Sequence, residues 1–154
     1  MQVSRSLKGE THTTMNLKLI NIALTQYGIK EITGNQDNPE VLKYFNETGF
    51  DGAKLKDETS WCSAFVNWAA LKAGAKTSGK LTARSWLTVG ADTKSPEMGD
   101  VAVLWRESKA SWKGHVGIFI REAGDFVYLL GGNQNNQVCI SAYNKSQLLG
   151  YRRI

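Results

Sequence analysis

Cys62 opens an apolar helical run, Trp61-Cys62-Ser63-Ala64-Phe65-Val66-Asn67-Trp68, directly after a polar, acidic stretch. A thiol in the first turn of a helix meets N–H groups that no helical carbonyl accepts and the positive end of the macrodipole, and both favour thiolate. Such a nucleophile needs a base, because an ordinary thiol is only slightly ionised at neutral pH. His115, in Lys113-Gly114-His115-Val116-Gly117, heads a strand and is the one histidine outside the N-terminal stretch. A lone histidine is more often structural than chemical. Here Gly114 and Gly117 remove side chains around the imidazole, as a site that must admit a substrate requires.

A third polar group follows from hairpin pairing. If Ala123-Gly124-Asp125 is a three-residue loop, Glu122 faces Phe126 and position 115 lies opposite Asn133, in Gly131-Gly132-Asn133-Gln134. An amide oxygen there can accept a hydrogen bond from the imidazole and fix its tautomer. With a two-residue loop the register shifts and Gly132 faces His115 instead. The asparagines of 133–136 also suit a plain turn between strands. Cys139, within Val138-Cys139-Ile140, reads as a buried thiol acting as a small hydrophobe.

The elements that must position these groups have two periodicities. Leu17, Leu19, Ile20, Ile22, Ala23, Leu24 and Tyr27 have helical spacing, with Gly28 as a stop. Asn38 as N-cap and Pro39 at the first helical position begin a second helix, which runs to about Glu47. The third is expected from about Trp61 to Ala73, capped by Thr59 or Ser60 and stopped at Gly74, with Cys62, Phe65, Val66, Ala69 and Ala73 on one inward face. Residues 75–95 read as irregular, with a short amphipathic piece around Ala83–Leu87. After Pro96 the pattern turns to period two, giving strands at about 100–105, 115–121, 126–132, 137–142 and 148–153. Helices first and then consecutive strands argue an α+β fold, N-terminal helices packed on a C-terminal antiparallel sheet of about five strands.

A chain of 154 residues, 42% hydrophobic and 21% charged, has the length of one domain with a buried core. Residues 1–15 are expected to be a disordered leader, with Met15 an alternative start, and residues 16–154 the single catalytic domain. His12, in that leader, is expected to play no part. A net charge of +5 tolerates anionic partners. The lysines are scattered, however, and no arginine and lysine stripe marks a nucleic-acid reader, so no nucleic-acid partner is expected. Two distant cysteines and two histidines fit neither a disulfide scaffold nor a metal site, and no cofactor is expected. Met1 to Met15 lack the apolar core of a signal peptide, and no run is long enough to insert in a membrane.

At these residues the chain resembles the NlpC-like cell-wall cysteine peptidases, in the branch called CHAP (cysteine, histidine-dependent amidohydrolases and peptidases). The resemblance covers about residues 16–154. It is carried by Gly28-Ile29-Lys30-Glu31, Asn38-Pro39, Trp61-Cys62-Ser63-Ala64-Phe65-Val66, Pro96-Glu97-Met98-Gly99-Asp100-Val101, Gly114-His115-Val116-Gly117 and Gly131-Gly132-Asn133-Gln134. Leu149-Gly150-Tyr151-Arg152-Arg153 resembles one small subgroup. No piece is diagnostic alone; their order and spacing are specific. The resemblance implies a papain-like fold and hydrolysis of a peptidoglycan amide bond, with Cys62 as nucleophile, His115 as base and Asn133 as the orienting residue. Many relatives have a proline directly after the acidic loop that precedes the tryptophan, here Asp57-Glu58-Thr59-Ser60, or a glutamate or histidine as third member, here Asn133; the loop difference bears on substrate contacts more than on chemistry.

Trp61, Trp86 and Trp112 fall near loops or the cysteine and, with Gln134, are candidates to contact glycan or peptide, although core packing is the commoner role for tryptophan. Arg84 reads as a solvated arginine. Two other functions fit the same pattern: a non-catalytic wall-binding or immunity-like module, and a papain-like hydrolase or acyltransferase acting on protein or lipid. With no signal peptide read, a wall hydrolase is expected to leave the cytoplasm by lysis, through a holin or by dedicated secretion. That points to a phage lysin or an antibacterial effector, the latter with a cognate immunity protein. A monomer is the expected state.

Overall fold

The computed structural model describes residues 11–32, 38–51 and 61–154. Three helices precede a sheet: α1 (His12–Leu24), α2 (Pro39–Asn46) and α3 (Cys62–Ala73). A 3₁₀ helix (Ala83–Thr88) leads to β1 (Ala91–Thr93), β2 (Val101–Trp105), β3 (Gly114–Ala123), β4 (Phe126–Gln134), β5 (Gln137–Asn144) and β6 (Leu148–Arg153). All neighbours in the sheet are antiparallel, in the order β1-β6-β2-β3-β4-β5. The α+β expectation holds with six strands rather than about five. The extra one, β1, is three residues long and pairs with the chain's last strand, a long-range contact that local periodicity does not reveal.

Helix α1 begins at His12, inside the segment expected to be a disordered leader. Thr11 caps it by accepting the N–H of Thr14, and His12 bonds Glu97 at 2.6 Å, so His12 helps fasten the helix to the turn before β2. Residues 1–10 lie outside the described residues. Asn38 caps α2 with Pro39 behind it, as expected. Thr59 and Ser60, the expected caps of α3, lie outside the described residues; Trp61 stands at the cap position without a side-chain bond. Gly74 closes α3 in the left-handed conformation.

Helix α3 is the centre of the molecule. All its residues except Leu71 and Lys72 are buried, and it packs on α1, α2, β3 and β4. A helix apolar around most of its circumference can only be a core helix, and its small residues Ala64, Ala69, Ala70 and Ala73 let neighbours approach closely. The turn before β2 is locked by Asp100, which is fully buried and accepts from Asn16 Nδ2 (3.1 Å), the Glu97 N–H (2.8 Å) and both Nε and Nη2 of Arg153 (3.0 and 2.8 Å). Burial alone would raise this carboxyl, but Arg153, the Glu97 N–H and Asn16 overcome it and hold it below the usual range. Gly99 is required here twice over. Its φ is +100°, and a Cβ would sit 2.6 Å from that of Asn16.

Candidate active site

Cys62 is the first residue of α3 and is 2% exposed; His115 is the second residue of β3 and is 6% exposed. Thiol and imidazole are hydrogen-bonded to each other. Helix α3 packs on β3, and the groups that meet are the first residue of the helix and the second of the strand. Burial, the largest influence, opposes charge on the imidazole. The bond and charge of Cys62 together with a bond to Gln134 outweigh it, and outweigh the nearby positive charge of Arg106, so the imidazole is held above its ordinary value.

The group on the far nitrogen is Gln134, not Asn133. Gln134 Oε1 lies 2.9 Å from His115 Nε2, and the residue is 2% exposed. Its Nε2 donates to the carbonyls of Leu129 (3.1 Å) and Cys139 (2.7 Å). Two carbonyl acceptors on the amide nitrogen leave the amide oxygen to face the ring, which therefore carries its proton on Nε2 and turns the Nδ1 lone pair to the thiol. Gly131 and Gly117 make the room: a Cβ on Gly131 would stand 2.5 Å from Gln134 Oε1, and one on Gly117 would stand 3.0 Å from Leu129 Cβ. Thus Gly117 admits Gln134 and Leu129 rather than substrate, while Gly114 does line the cleft that holds Cys62.

The asparagine expectation misses by one residue for a reason visible in the ladder. The hairpin loop has two residues, with Ala123 facing Phe126, and a bulge between Phe119 and Arg121 restores the pairing Phe119–Leu129 and Ile118–Leu130. That is the register expected of a three-residue loop, reached by a different route. Beyond it β4 bulges again between Gly131 and Gln134, with Asn133 at φ +58°. The alternation of faces is broken there, and Gln134 takes the place opposite the imidazole.

Tyr143 completes the histidine's surroundings. Its ring stacks on the imidazole (centroids 5.0 Å apart, planes 30° apart), and its hydroxyl is 3.1 Å from Nε2. Burial first, then the charge of Cys62, raises the phenol, which stays neutral. Sequence reasoning gave no sign of it, because Tyr143 lies on β5 and pairs with Val127, so it is not a ladder partner of His115. Cys139 is buried as expected, but its sulfur also donates to the Gln134 carbonyl at 3.3 Å, so it backs the orienting residue.

Two clefts flank the pair. One, about 380 Å³, is lined by Leu104, Trp105, Arg106, His115, Asn133 and Tyr143 among others. The other, about 230 Å³, is lined by Cys62, Thr82, Ala83, Arg106, Trp112 and Gly114 among others. Asn133 is thus at the cleft wall. Of the other substrate-contact candidates, Trp61 and Trp86 are fully buried. Trp61 stacks on Tyr44 and presses on Gly132, and Trp86 donates to Ser63 Oγ at 3.0 Å; both are core residues, because a large ring beside a helix end is first used to fill it. Gln134 is buried behind the imidazole. Trp112, 70% exposed, does line the cleft. Arg84 is not simply solvated: it donates to the carbonyls of Ser108 (2.9 Å), Lys109 (2.7 Å) and Lys113 (2.9 Å) and so shapes the loop that carries Trp112.

Among the described residues, no group of three or more His, Cys, Asp or Glu side chains is placed to hold a metal, and no helix is long and apolar enough to cross a membrane.

Comparison with solved structures finds the same architecture. A Staphylococcus aureus protein described as similar to lipoprotein, of the NLP/P60 family, is 19% identical over 95% of this chain and 43% of its own, with a TM-score of 0.53. The P60 domain of a M. avium paratuberculosis antigen is 16% identical over 93% of this chain and 95% of its own, at 0.55. The resuscitation promoting factor interacting protein RipA, solved in forms mutated at a cysteine and at a histidine, reaches 0.57 at 15% identity for the cysteine form, over 93% of this chain and 64% of its own. The chain therefore spans less than half of the first of these proteins and has the papain-like fold of NlpC/P60 domains. No match is found among curated proteins. The model of the CHAP domain family matches residues 54–133, just over half of the sequence and the part that carries Cys62, His115 and Asn133, and the chain belongs to that family.

Proposed function

We propose that this domain hydrolyses an amide bond of peptidoglycan, as an amidase or endopeptidase, with Cys62 as nucleophile, His115 as base and Gln134 as the positioning residue. The observation that carries this reading is a buried thiol at a helix start, hydrogen-bonded to an imidazole whose other nitrogen is held by a fixed amide. Membership in the CHAP family supports peptidoglycan as the substrate class.

In the reaction the pair holds one proton between sulfur and Nδ1. The thiolate attacks the carbonyl carbon, forming a C–S bond and a tetrahedral oxyanion. The backbone N–H of Cys62, whose place in the first turn of α3 leaves it without an intrahelical acceptor, serves as an oxyanion donor in this reading. Collapse breaks the C–N bond, and the imidazolium gives its proton to the departing amine. Water, deprotonated by His115, then cleaves the thioester and releases the acid and the thiol. Gln134 keeps Nδ1 aimed at sulfur throughout, and Tyr143 covers one ring face.

Purified sacculi incubated with the protein are expected to lose turbidity and to release fragments whose masses carry one added water per cut amide. Cys62→Ala is expected to abolish this release while retaining the thermal transition of the parent. Undiminished release by Cys62→Ala contradicts the assignment, and intact sacculi in the presence of a fast-alkylating Cys62 place the substrate outside the wall.

A further inference from the structure

Arg106 directly follows β2 and lines both clefts, so its guanidinium stands where a bound chain passes the Cys62–His115 pair. Its backbone is used, pairing with Lys113 and Ser108; among the described residues its exposed side chain makes no hydrogen bond or ion pair, and Glu107 acts on it only through space. Its neighbours are matched. Lys113, the other cation of the clefts, is bonded to Glu107 at 2.7 Å, and Arg84 is occupied by three carbonyls. Among the described residues, none lining either cleft is an Asp or a Glu. Among the described residues, Arg106 and Lys113 thus face one carboxylate, Glu107, which leaves one positive charge in excess within reach of His115. A planar guanidinium fork fits a carboxylate in two parallel hydrogen bonds, and does so with most effect where water is partly excluded.

We propose that Arg106 selects substrates carrying a free carboxylate next to the amide to be cut, pairing with that carboxylate as the scissile carbonyl reaches Cys62. This rests on the peptidoglycan reading and narrows it. Stem peptides bear carboxylates beside their amide bonds, and the same positions can be presented as carboxamides, which keep the shape and lose the charge. Arg106 then distinguishes free from amidated stems.

The test uses matched stem peptides that differ only in that one group. Wild-type protein is expected to cut the carboxylate form with a kcat/KM about tenfold or more above the carboxamide form. Arg106→Gln should bring the carboxylate form to within about twofold of the carboxamide form measured in the same variant, and Arg106→Lys should keep part of the preference. Binding of both peptides to Cys62→Ala, with and without Arg106→Gln, is measured alongside. Equal turnover of the two forms by wild type, or an equal loss on both in Arg106→Gln, overturns the carboxylate site and leaves hydrolysis standing. Tighter, Arg106-dependent binding of the carboxylate form without any cleavage by wild type supports the carboxylate site and removes the hydrolytic reading. Binding of neither form overturns the site.

Discussion

Asp100 and His115 are both buried ionisable groups beside the same sheet, and both are displaced from their ordinary pKa values by hydrogen bonds that outweigh burial. They differ in how many sides are closed. Asp100 is met by Asn16 from α1, by the Glu97 N–H from its own turn and by the fork of Arg153 from β6. Every partner belongs to the scaffold, and neither cleft touches it. His115 is held by Gln134 and Tyr143 at Nε2, yet one cleft reaches His115 itself and a second reaches its partner Cys62. A perturbed ionisable group is thus no mark of chemistry by itself. What marks His115 is that the scaffold fixes its rear nitrogen and leaves the reacting partner in front.

The contrast can be broken most forcefully at the histidine. His115→Ala is expected to lower kcat by a factor of roughly a thousand or more, through loss of both base and acid. It should also slow alkylation of Cys62 at neutral pH, followed by peptide mapping so that Cys139 is not counted. Unchanged alkylation would remove the pairing that defines the site. Gln134→Ala comes next, with kcat expected to fall by about a hundredfold as the ring loses its fixed orientation. That variant also strips a donor from the Leu129 and Cys139 carbonyls, at a stability loss of about 1–3 kcal/mol.

Asp100→Asn should give the opposite pattern. Arg153 would keep only its more exposed partner Glu97 (3.2 Å) and lose the buried one, which is expected to cost about 2–4 kcal/mol of stability, seen as a lower denaturation midpoint, with kcat of the folded fraction nearly unchanged. A selective loss of kcat there would erase the distinction between lock and site. The sign of the pH effect is fixed by the lowered carboxyl. Its contribution is present above the unfolded-state value of an aspartate, and is lost as pH falls through the still lower folded-state value. Acid titration of stability should therefore lose its Asp100 component in Asp100→Asn. The smallest effect is expected at Arg84. Replacement by Ala frees three carbonyls of an exposed loop, so KM should rise a fewfold through misplaced Trp112 while stability changes little.

The parts of this site legible in the sequence are those set by local rules. A thiol at a helix start and a histidine at a strand head follow from periodicity and caps, and so do the α+β order and the Asn38-Pro39 entry to α2. The third group is not legible, because two bulges change which residue faces the ring, and a bulge depends on how two strands pack rather than on either strand alone. Trp61 and Trp86 mislead for a related reason. Their positions near Cys62 are equally consistent with lining a groove or filling a core, and only the depth of α3 decides. Tyr143 and β1 depend on contacts between distant strands, β5 with the head of β3 and β1 with β6, which carry no local signal at all.

The pH dependence of kcat/KM, measured in wild type and in Gln134→Ala, tests the assignment of the site most directly. The active pair carries one shared proton, so activity falls on the alkaline side as that proton leaves, and the Gln134 bond is one of the influences that hold it on. Gln134→Ala is expected to move the alkaline limb to lower pH while Asn133→Ala leaves it in place. An alkaline limb that moves in Asn133→Ala and stays put in Gln134→Ala would contradict Gln134 as the amide that positions the histidine.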